Sequence, residues 1–158
     1  MLLGDVVEQD ANEWKTMFDA NVMGVINGTQ VVLETMKTNK QGTIINVSSI
    51  AGQKAFENHA AYCGSKFAVH GITETIRQEA ASSNVRVLLL SPGAAETNLL
   101  SHTTNAQMVA DYKEWKKTME NEKSLDPYYV ALSAKFMYEV PQEVSIREIT
   151  IAATMQDA

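Results

Sequence analysis

A tyrosine and a lysine lie four positions apart in this chain, and a serine precedes the tyrosine by thirteen positions. If residues 60–82 form a helix, Tyr62 and Lys66 lie on one face of it, a turn apart. A phenol is a weak acid at neutral pH, and a neighbouring ammonium lowers its pKa by favouring the phenolate. Ser49 can hold a substrate oxygen beside this phenol. These residue types can therefore move a proton on and off an alcohol or carbonyl oxygen.

The chain around these residues predicts the elements that position them. Residues 43–48 are an apolar, β-branched run, which predicts a strand buried on both faces of a parallel sheet. The end of this strand delivers Ser49 into a turn that Gly52 bounds. Residues 85–90 form a second such run, which a Pro-Gly pair ends.

The remaining sequence predicts helices that alternate with strands. A long helix is expected from about residue 11 to Thr38, with Asp10 as its N-cap and Glu13 completing a capping box. Further along, the sequence predicts a loop at 51–58, a charged helix from about Ala106 to Glu120, a helix from Pro127 to Glu139 capped by Asp126, and a strand from Arg147 to Ala153. Three parallel strands with right-handed crossovers follow, which is half of a doubly wound α/β fold. The whole chain, 1–158, is expected to form a single domain.

The composition excludes several classes of protein. The chain has 158 residues, a net charge of −6 and a pI near 5.0, which argue against a surface for nucleic acid or anionic membranes. No segment approaches the roughly 20 apolar residues that span a bilayer. The first residues lack the basic and apolar regions of a signal peptide. A single cysteine suits a reducing compartment, so a cytoplasmic location is expected.

Three segments, taken in order, resemble the classical short-chain dehydrogenase/reductase family over nearly the whole chain. They are residues 42–52, 61–69 and 84–93. Within that family, Pro92-Gly93-Ala94-Ala95-Glu96-Thr97 and residues 147–151 most resemble the bacterial NADP-dependent 3-hydroxy acid and serine dehydrogenases. The resemblance implies a Rossmann-like fold and an NADP(H) or NAD(H) cofactor. It also implies interconversion of an alcohol, such as a small hydroxy acid, with a carbonyl compound.

The resemblance also implies roles for single residues. Tyr62 would be the general acid/base, Lys66 would hold the nicotinamide ribose, and Ser49 would orient the substrate oxygen. Asn21 lies within the apolar stripe of the first helix, where a polar group needs partners. It matches an asparagine that holds a water linking the lysine to solvent, although an ordinary structural amide also fits the pattern. Cofactor contacts are implied for Tyr62, Lys66, Pro92, Gly93, Ala95 and Thr97.

Residues 97–125 are expected to cover the substrate as a lid, because this region does so in the family. Tyr112 and Trp115 are therefore candidate substrate contacts, with ordinary packing as the other interpretation. Lys54 and His102 are the cations nearest in sequence to the site that could meet an acid substrate.

Other reactive residue types do not form a pattern typical of a site. The three histidines, His59, His70 and His102, lack the spacing of metal ligands, so no metal is predicted. Cys63 points about 100° away from Tyr62 around the helix, and a small buried thiol is expected there.

One part of the family pattern is not found in this sequence. Family members begin with a strand, a glycine-rich turn and a helix that hold the dinucleotide pyrophosphate. The sequence has no such glycine run, so it resembles the C-terminal part of a family member, and Met1 matches an internal position of a longer protein. A truncated family member is therefore expected.

Three functions remain open on the sequence alone. The first is the oxidoreductase. The second is a catalytically incompetent fragment that keeps an interaction role, in which helices 11–38 and 60–82 form a dimer or tetramer and strand 43–48 has an unpaired edge. The third is an extended-type epimerase or dehydratase, which the Ser-Ser-Ile-Ala-Gly turn and the Pro-Gly segment disfavour. Saturable NADPH binding separates the first function from the second.

Overall fold

A parallel sheet of three strands carries the fold in the computed structural model, which describes residues 1–118 and 124–156. The strands are β1 (Gly42–Val47), β2 (Val85–Pro92) and β3 (Glu148–Ile151), and they pair in the order β1-β2-β3. Both pairs are parallel, with Gly42 opposite Val85 and Leu89 opposite Glu148. The predicted partial Rossmann-like sheet is therefore confirmed.

Five α-helices connect and cover the strands in the described ranges. They are α1 (Ala11–Phe18), α2 (Gly24–Asn39), α3 (Ala60–Ala81), α4 (Ala106–Lys117) and α5 (Pro127–Glu139). Short 3₁₀ turns lie at Ile50–Gly52 and Asn98–His102. A π-helical turn at Asp19–Met23 joins α1 to α2, so the predicted long helix contains an interruption that its periodicity did not indicate.

The predicted element ends are close to those observed. The Asp10 carboxylate caps α1 by accepting from the backbone of Asn12, and Asp126 caps α5 in the same way. The Glu13 carboxylate accepts from the side chains of Gln9 and Thr104, which is not the predicted capping-box contact. The last strand is shorter than predicted, and the predicted end of α4 at Glu120 lies outside the described residues.

β2 is the buried centre of the sheet, and its two faces support different layers. Val87 packs with Ala80 of α3 on one face, whereas Leu88 and Leu90 pack with Met137 of α5 on the other. This alternation is the two-residue period of a strand with helices on both sides. Residues 85–91 are all buried, as predicted.

β1 does not match its predicted burial. Most of its residues are only partly buried, and the side chain of Val47 is 51% exposed. The reason is positional, because β1 pairs with β2 alone in the described part of the chain and forms one edge of the sheet. An apolar strand buried on both faces was therefore a wrong prediction for β1 and a correct one for β2.

A buried arginine fastens the end of α5 to the sheet. Arg86 of β2 is 5% exposed, and its guanidinium donates to the carbonyl oxygens of Tyr138 and Val140, each at 2.9 Å. It also donates to Thr43 Oγ1 of β1 at 2.9 Å. A positive charge at a helix C-terminus is favourable, and the planar fork satisfies several acceptors at once.

None of the helices in residues 1–118 and 124–156 combines the length and the apolar character that crossing a bilayer requires.

We expect Arg86→Met to lower the free energy of unfolding by about 3 kcal/mol, because it leaves buried carbonyl groups without a donor. Urea denaturation followed by circular dichroism measures this change. Arg147→Met is the matched control, since residue 147 is exposed and should shift the midpoint little. Equal losses in the two variants would show that the Arg86 contacts do not stabilise the fold.

Candidate active site

The predicted site residues gather at the carboxyl edge of the sheet. Ser49 comes two residues after β1, and its Oγ accepts from the backbone N–H of Ala51 at 3.1 Å at the start of a 3₁₀ turn. Gly93 to Thr97 follow β2 at the same edge. Open parallel sheets bind their ligands at this edge, so the topology places both segments where a ligand site is expected.

Tyr62 is held in the first turn of α3, beneath an apolar cluster. Its side chain is 7% exposed and packs among residues that include Leu3, Met17 and Ala51. Burial raises the pKa of Tyr62, and the nearby Ser49 side chain opposes this by favouring the phenolate. The structure therefore brings the serine and the tyrosine into one region.

Lys66 lies one turn further along the same face of α3. Its ammonium lies 5.8 Å from the centroid of the Tyr62 ring and donates to the Val47 carbonyl oxygen at 3.1 Å. Burial lowers the pKa of Lys66. The net direction for the pKa of Tyr62 is upward, because burial of the phenol outweighs the opposing effect of Ser49. The effect of Lys66 on the phenol stays a prediction.

Asn21 lies in the π turn between α1 and α2, and it reaches α3 through a serine. Its Nδ2 donates to Ser65 Oγ at 3.0 Å, and Ser65 Oγ donates to the Tyr62 carbonyl oxygen at 2.8 Å. Ser65 is completely buried. π turns often occur at functional sites because they redirect a side chain within a helix. Sequence reasoning missed Ser65, and its place three residues after Tyr62 was the available signal.

A second serine and a glycine shape the turn that carries Ser49. Ser48 Oγ donates to the Lys66 carbonyl oxygen at 3.1 Å, which ties the end of β1 to α3. A Cβ at Gly52 would lie 2.6 Å from the His70 ring and 2.7 Å from Ser48 Oγ, so a side chain there would force the turn away from α3. The glycine thus keeps the turn close to the helix that carries Tyr62.

The predicted cofactor residues after β2 contact other parts of the chain. Gly93 N donates to the Ile151 carbonyl oxygen at 2.7 Å, and a Cβ on Gly93 would lie 2.8 Å from Ala152 Cβ. Ala95 forms a parallel bridge with Leu125. Thr97 caps the following 3₁₀ turn and is exposed. The contacts in the structure hold these residues at the sheet edge, next to the end of β3.

Four aromatic side chains form a series of ring contacts that begins at Tyr62, and we call them the ring wall: Phe56, His59, Tyr112 and Trp115. The His59 ring lies 6.4 Å from the Tyr62 ring and 6.5 Å from the Tyr112 ring, measured between centroids. Trp115 follows Tyr112 at 5.2 Å, and Phe56 lies 5.8 Å from His59. Burial is the main cause that raises the pKa of Tyr112 to about 12. Burial also lowers the pKa of His59.

The other reactive residue types are accounted for as follows. Cys63 is a free, buried thiol in the apolar cluster, as predicted. Within the described ranges, no group of three metal-ligating side chains comes together. The Lys54 ammonium lies 5.8 Å from the centroid of the Phe56 ring, at the ring wall. Glu96 pairs with Lys116 of α4 at 2.7 Å and accepts from the Ser124 hydroxyl.

The match to a known family covers most of the chain. The sequence model described as short chain dehydrogenase matches residues 3–108, so the chain belongs to this family. An uncharacterized oxidoreductase of Staphylococcus saprophyticus is 39% identical over 147 residues, which is 92% of this chain and 58% of that protein. An uncharacterized oxidoreductase of Listeria monocytogenes is 33% identical over 151 residues, with the same two coverages. The chain thus spans somewhat more than half the length of these relatives.

Solved structures share the fold over the full chain. A serine dehydrogenase in its closed form, complexed with NADP⁺, superposes with a TM-score of 0.85 at 25% identity, over 100% of this chain and 63% of the other. An alcohol dehydrogenase from Thermococcus sibiricus, complexed with 5-hydroxy-NADP, superposes with a TM-score of 0.81 at 18% identity, over 99% of this chain and 60% of the other. The second likeness shows the fold alone.

The raised pKa of Tyr62 predicts a pH dependence of stability. Because the folded state holds the phenol neutral above its usual value of 10.0, burial of Tyr62 stabilises the fold fully below pH 10. This contribution is lost as the pH rises through the folded-state pKa. We expect the urea midpoint of the wild type to fall more steeply above pH 10 than that of Tyr62→Phe. Both proteins keep Tyr112, so parallel curves would show that Tyr62 titrates normally.

Proposed function

We propose that this chain functions as an NAD(P)-dependent oxidoreductase, which interconverts an alcohol and a carbonyl compound by acid/base catalysis at Tyr62. The observation that best supports the proposal is the position of the Lys66 ammonium, 5.8 Å from the centroid of the Tyr62 ring. The Ser49 side chain is also close enough to the phenol to lower its pKa. Family membership and the carboxyl-edge location of the site support the same reaction class.

The donor set at the sheet edge fits the nicotinamide and ribose end of a dinucleotide cofactor. An ammonium has three donors, and the Val47 carbonyl accepts one from Lys66, so others can meet ribose hydroxyls. Tyr62 would make the second ribose contact. Pro92, Gly93, Ala95 and Thr97 would line the nicotinamide and its phosphate, and the exposed hydroxyl of Thr97 can donate to an anion. NADP(H) is the proposed cofactor, with NAD(H) as the alternative, because the serine dehydrogenase is complexed with NADP⁺.

The cofactor, when bound, would supply or accept the hydride, and this chain's residues would manage the proton. Tyr62 would donate its proton to the carbonyl oxygen in reduction and accept the alcohol proton in oxidation. Ser49 would hold the substrate oxygen beside the phenol, and the Lys66 charge would stabilise the phenolate. Since burial raises the pKa of Tyr62, the free chain holds the protonated phenol at neutral pH, which is the form that reduction requires.

Asn21 and the segment after β2 would support these steps. Through Ser65, Asn21 reaches the carbonyl group of Tyr62, and we propose that it also holds a water that returns protons to Lys66. Residues 97–125 would form the substrate lid. A parallel bridge between Ala95 and Leu125 connects the segment just after β2 to the last residue of this range.

A homo-oligomer is the proposed assembly. An open groove of about 560 Å³ runs between α2 and α3, and its apolar lining includes Ile26, Leu33, Ala68 and Ile72. The hydroxyl of Thr29, in the same groove, is buried without a hydrogen-bond partner among the described residues. The α2 and α3 faces of a second copy would cover this surface, as expected for helices 11–38 and 60–82.

We expect Tyr62→Phe to lower NADPH-dependent carbonyl reduction at least about 100-fold, because the variant has no proton to donate. NADPH binding, followed by cofactor fluorescence, should persist with less than about a threefold change, since most cofactor contacts remain. Tyr128→Phe makes the same chemical change on an exposed residue of α5 and should keep full activity. Turnover by Tyr62→Phe at the wild-type rate would remove Tyr62 from the mechanism. Absence of saturable NADPH binding to the wild type would favour a non-catalytic interaction protein.

We expect Ile72→Glu to shift the protein towards the monomer, because the substitution places a charge in an apolar interface. Light scattering after size-exclusion chromatography measures the mass. Lys135→Glu, on the exposed surface of α5, provides the control. An unchanged oligomer mass in Ile72→Glu would exclude the groove as the interface.

A further inference from the structure

The ring wall contacts Tyr62 through the His59 ring. Tyr62 is buried, whereas all four members of the wall are only partly buried. The wall brings two segments together, since Phe56 and His59 precede α3 and the other two rings belong to α4. A substrate whose carbonyl group reaches the phenol would therefore lie beside the His59 ring and close to the rings that contact it.

The aromatic side chains of the wall determine which substrate substituents can bind next to them. A flat aromatic group can restore the tilted and edge-on ring contacts that it displaces. A carboxylate entering the same space gives up its hydration and gains little in return unless it meets a cation. The rings thus favour an apolar, planar group beside the reacting carbon.

The charges around the wall point the same way. Lys54 lies over the Phe56 ring and Lys116 pairs with Glu96. Lys66 donates to a backbone carbonyl, and its other donors would go to the ribose of the proposed cofactor. The Glu96 carboxylate is close enough to contribute to the raised pKa of Tyr112, so it also disfavours a second negative charge there. Burial lowers the pKa of His59, which leaves this ring uncharged at neutral pH.

Given the proposed oxidoreductase function, we propose that the ring wall selects alcohols and carbonyl compounds that carry an aromatic ring on the reacting carbon, in place of the hydroxy acids that the family resemblance implies. With acetophenone, the carbonyl carbon accepts a hydride from the reduced nicotinamide while the oxygen takes the Tyr62 proton. The products are 1-phenylethanol, the oxidised nicotinamide and a phenolate, which solvent reprotonates.

Acetophenone and pyruvate are a matched pair of test substrates, because both are methyl ketones and differ in a phenyl group against a carboxylate. We expect kcat/KM with NADPH to be at least about tenfold higher for acetophenone. In Tyr112→Leu, this value should fall about tenfold for acetophenone and less than about twofold for pyruvate. Tyr129→Leu removes an exposed aromatic ring of α5 and should change neither value.

The outcomes separate this inference from the function on which it rests. A preference for pyruvate, or a ratio unchanged in Tyr112→Leu, overturns the aromatic selectivity and leaves the oxidoreductase standing. Reduction of neither ketone with NADPH or NADH contradicts the proposed function instead.

In that event binding still tests the wall. The chain has two tryptophans, so Trp14→Phe leaves Trp115 as the one fluorescent indole. Saturable quenching of Trp115 by acetophenone and not by pyruvate supports the wall as a binding site for aromatic groups, and its absence overturns the inference.

Discussion

The burial of β2 on both faces is the constraint on which the other elements depend. One face of the strand holds α3 through Val87, and the other holds α5 through Leu88 and Leu90. The same strand pairs with β1 and β3, so both other strands and the helices on both faces of the sheet contact β2. Since parallel strands end together, their common carboxyl edge places Ser49 and the Pro92–Thr97 segment in one region without direct contact between them.

α3 carries the candidate catalytic residues on one face, because they are spaced by one helical turn. Tyr62 and Lys66 face the turn after β1, and the hydrogen bond from Ser48 to the Lys66 carbonyl oxygen fixes the distance between turn and helix. The same close packing that aligns the groups also removes water from the phenol. Positioning and desolvation therefore come from one set of contacts, and their effects on Tyr62 oppose each other.

The sequence predicted those features that depend on neighbours along the chain. The caps at Asp10 and Asp126, the end of β2 and the face shared by Tyr62 and Lys66 all follow from local spacing. The family pattern predicted an unpaired edge for β1, but the apolar run alone could not show how much of the strand this edge position exposes. The desolvation that raises the pKa of Tyr62 could not be predicted either, because it comes from residues that are distant in sequence. The ring wall joins two segments that lie far apart in the sequence, and the position of Ser65 three residues after Tyr62 was a weak signal that gained meaning only from its contact with Asn21.

The π turn at Asp19–Met23 separates two properties that a regular helix would couple. A π turn holds one residue more than the α-helical turn it replaces but rotates the chain about equally far, because each residue turns through a smaller angle. The extra residue is therefore absorbed within the turn, and α1 and α2 keep nearly the same phase. Asn21 can reach Ser65 from this turn while α2 still presents its groove-lining residues next to α3. Gain or loss of one residue here would redirect Asn21 and leave the contact surface of α2 in place, so evolution can adjust the two separately.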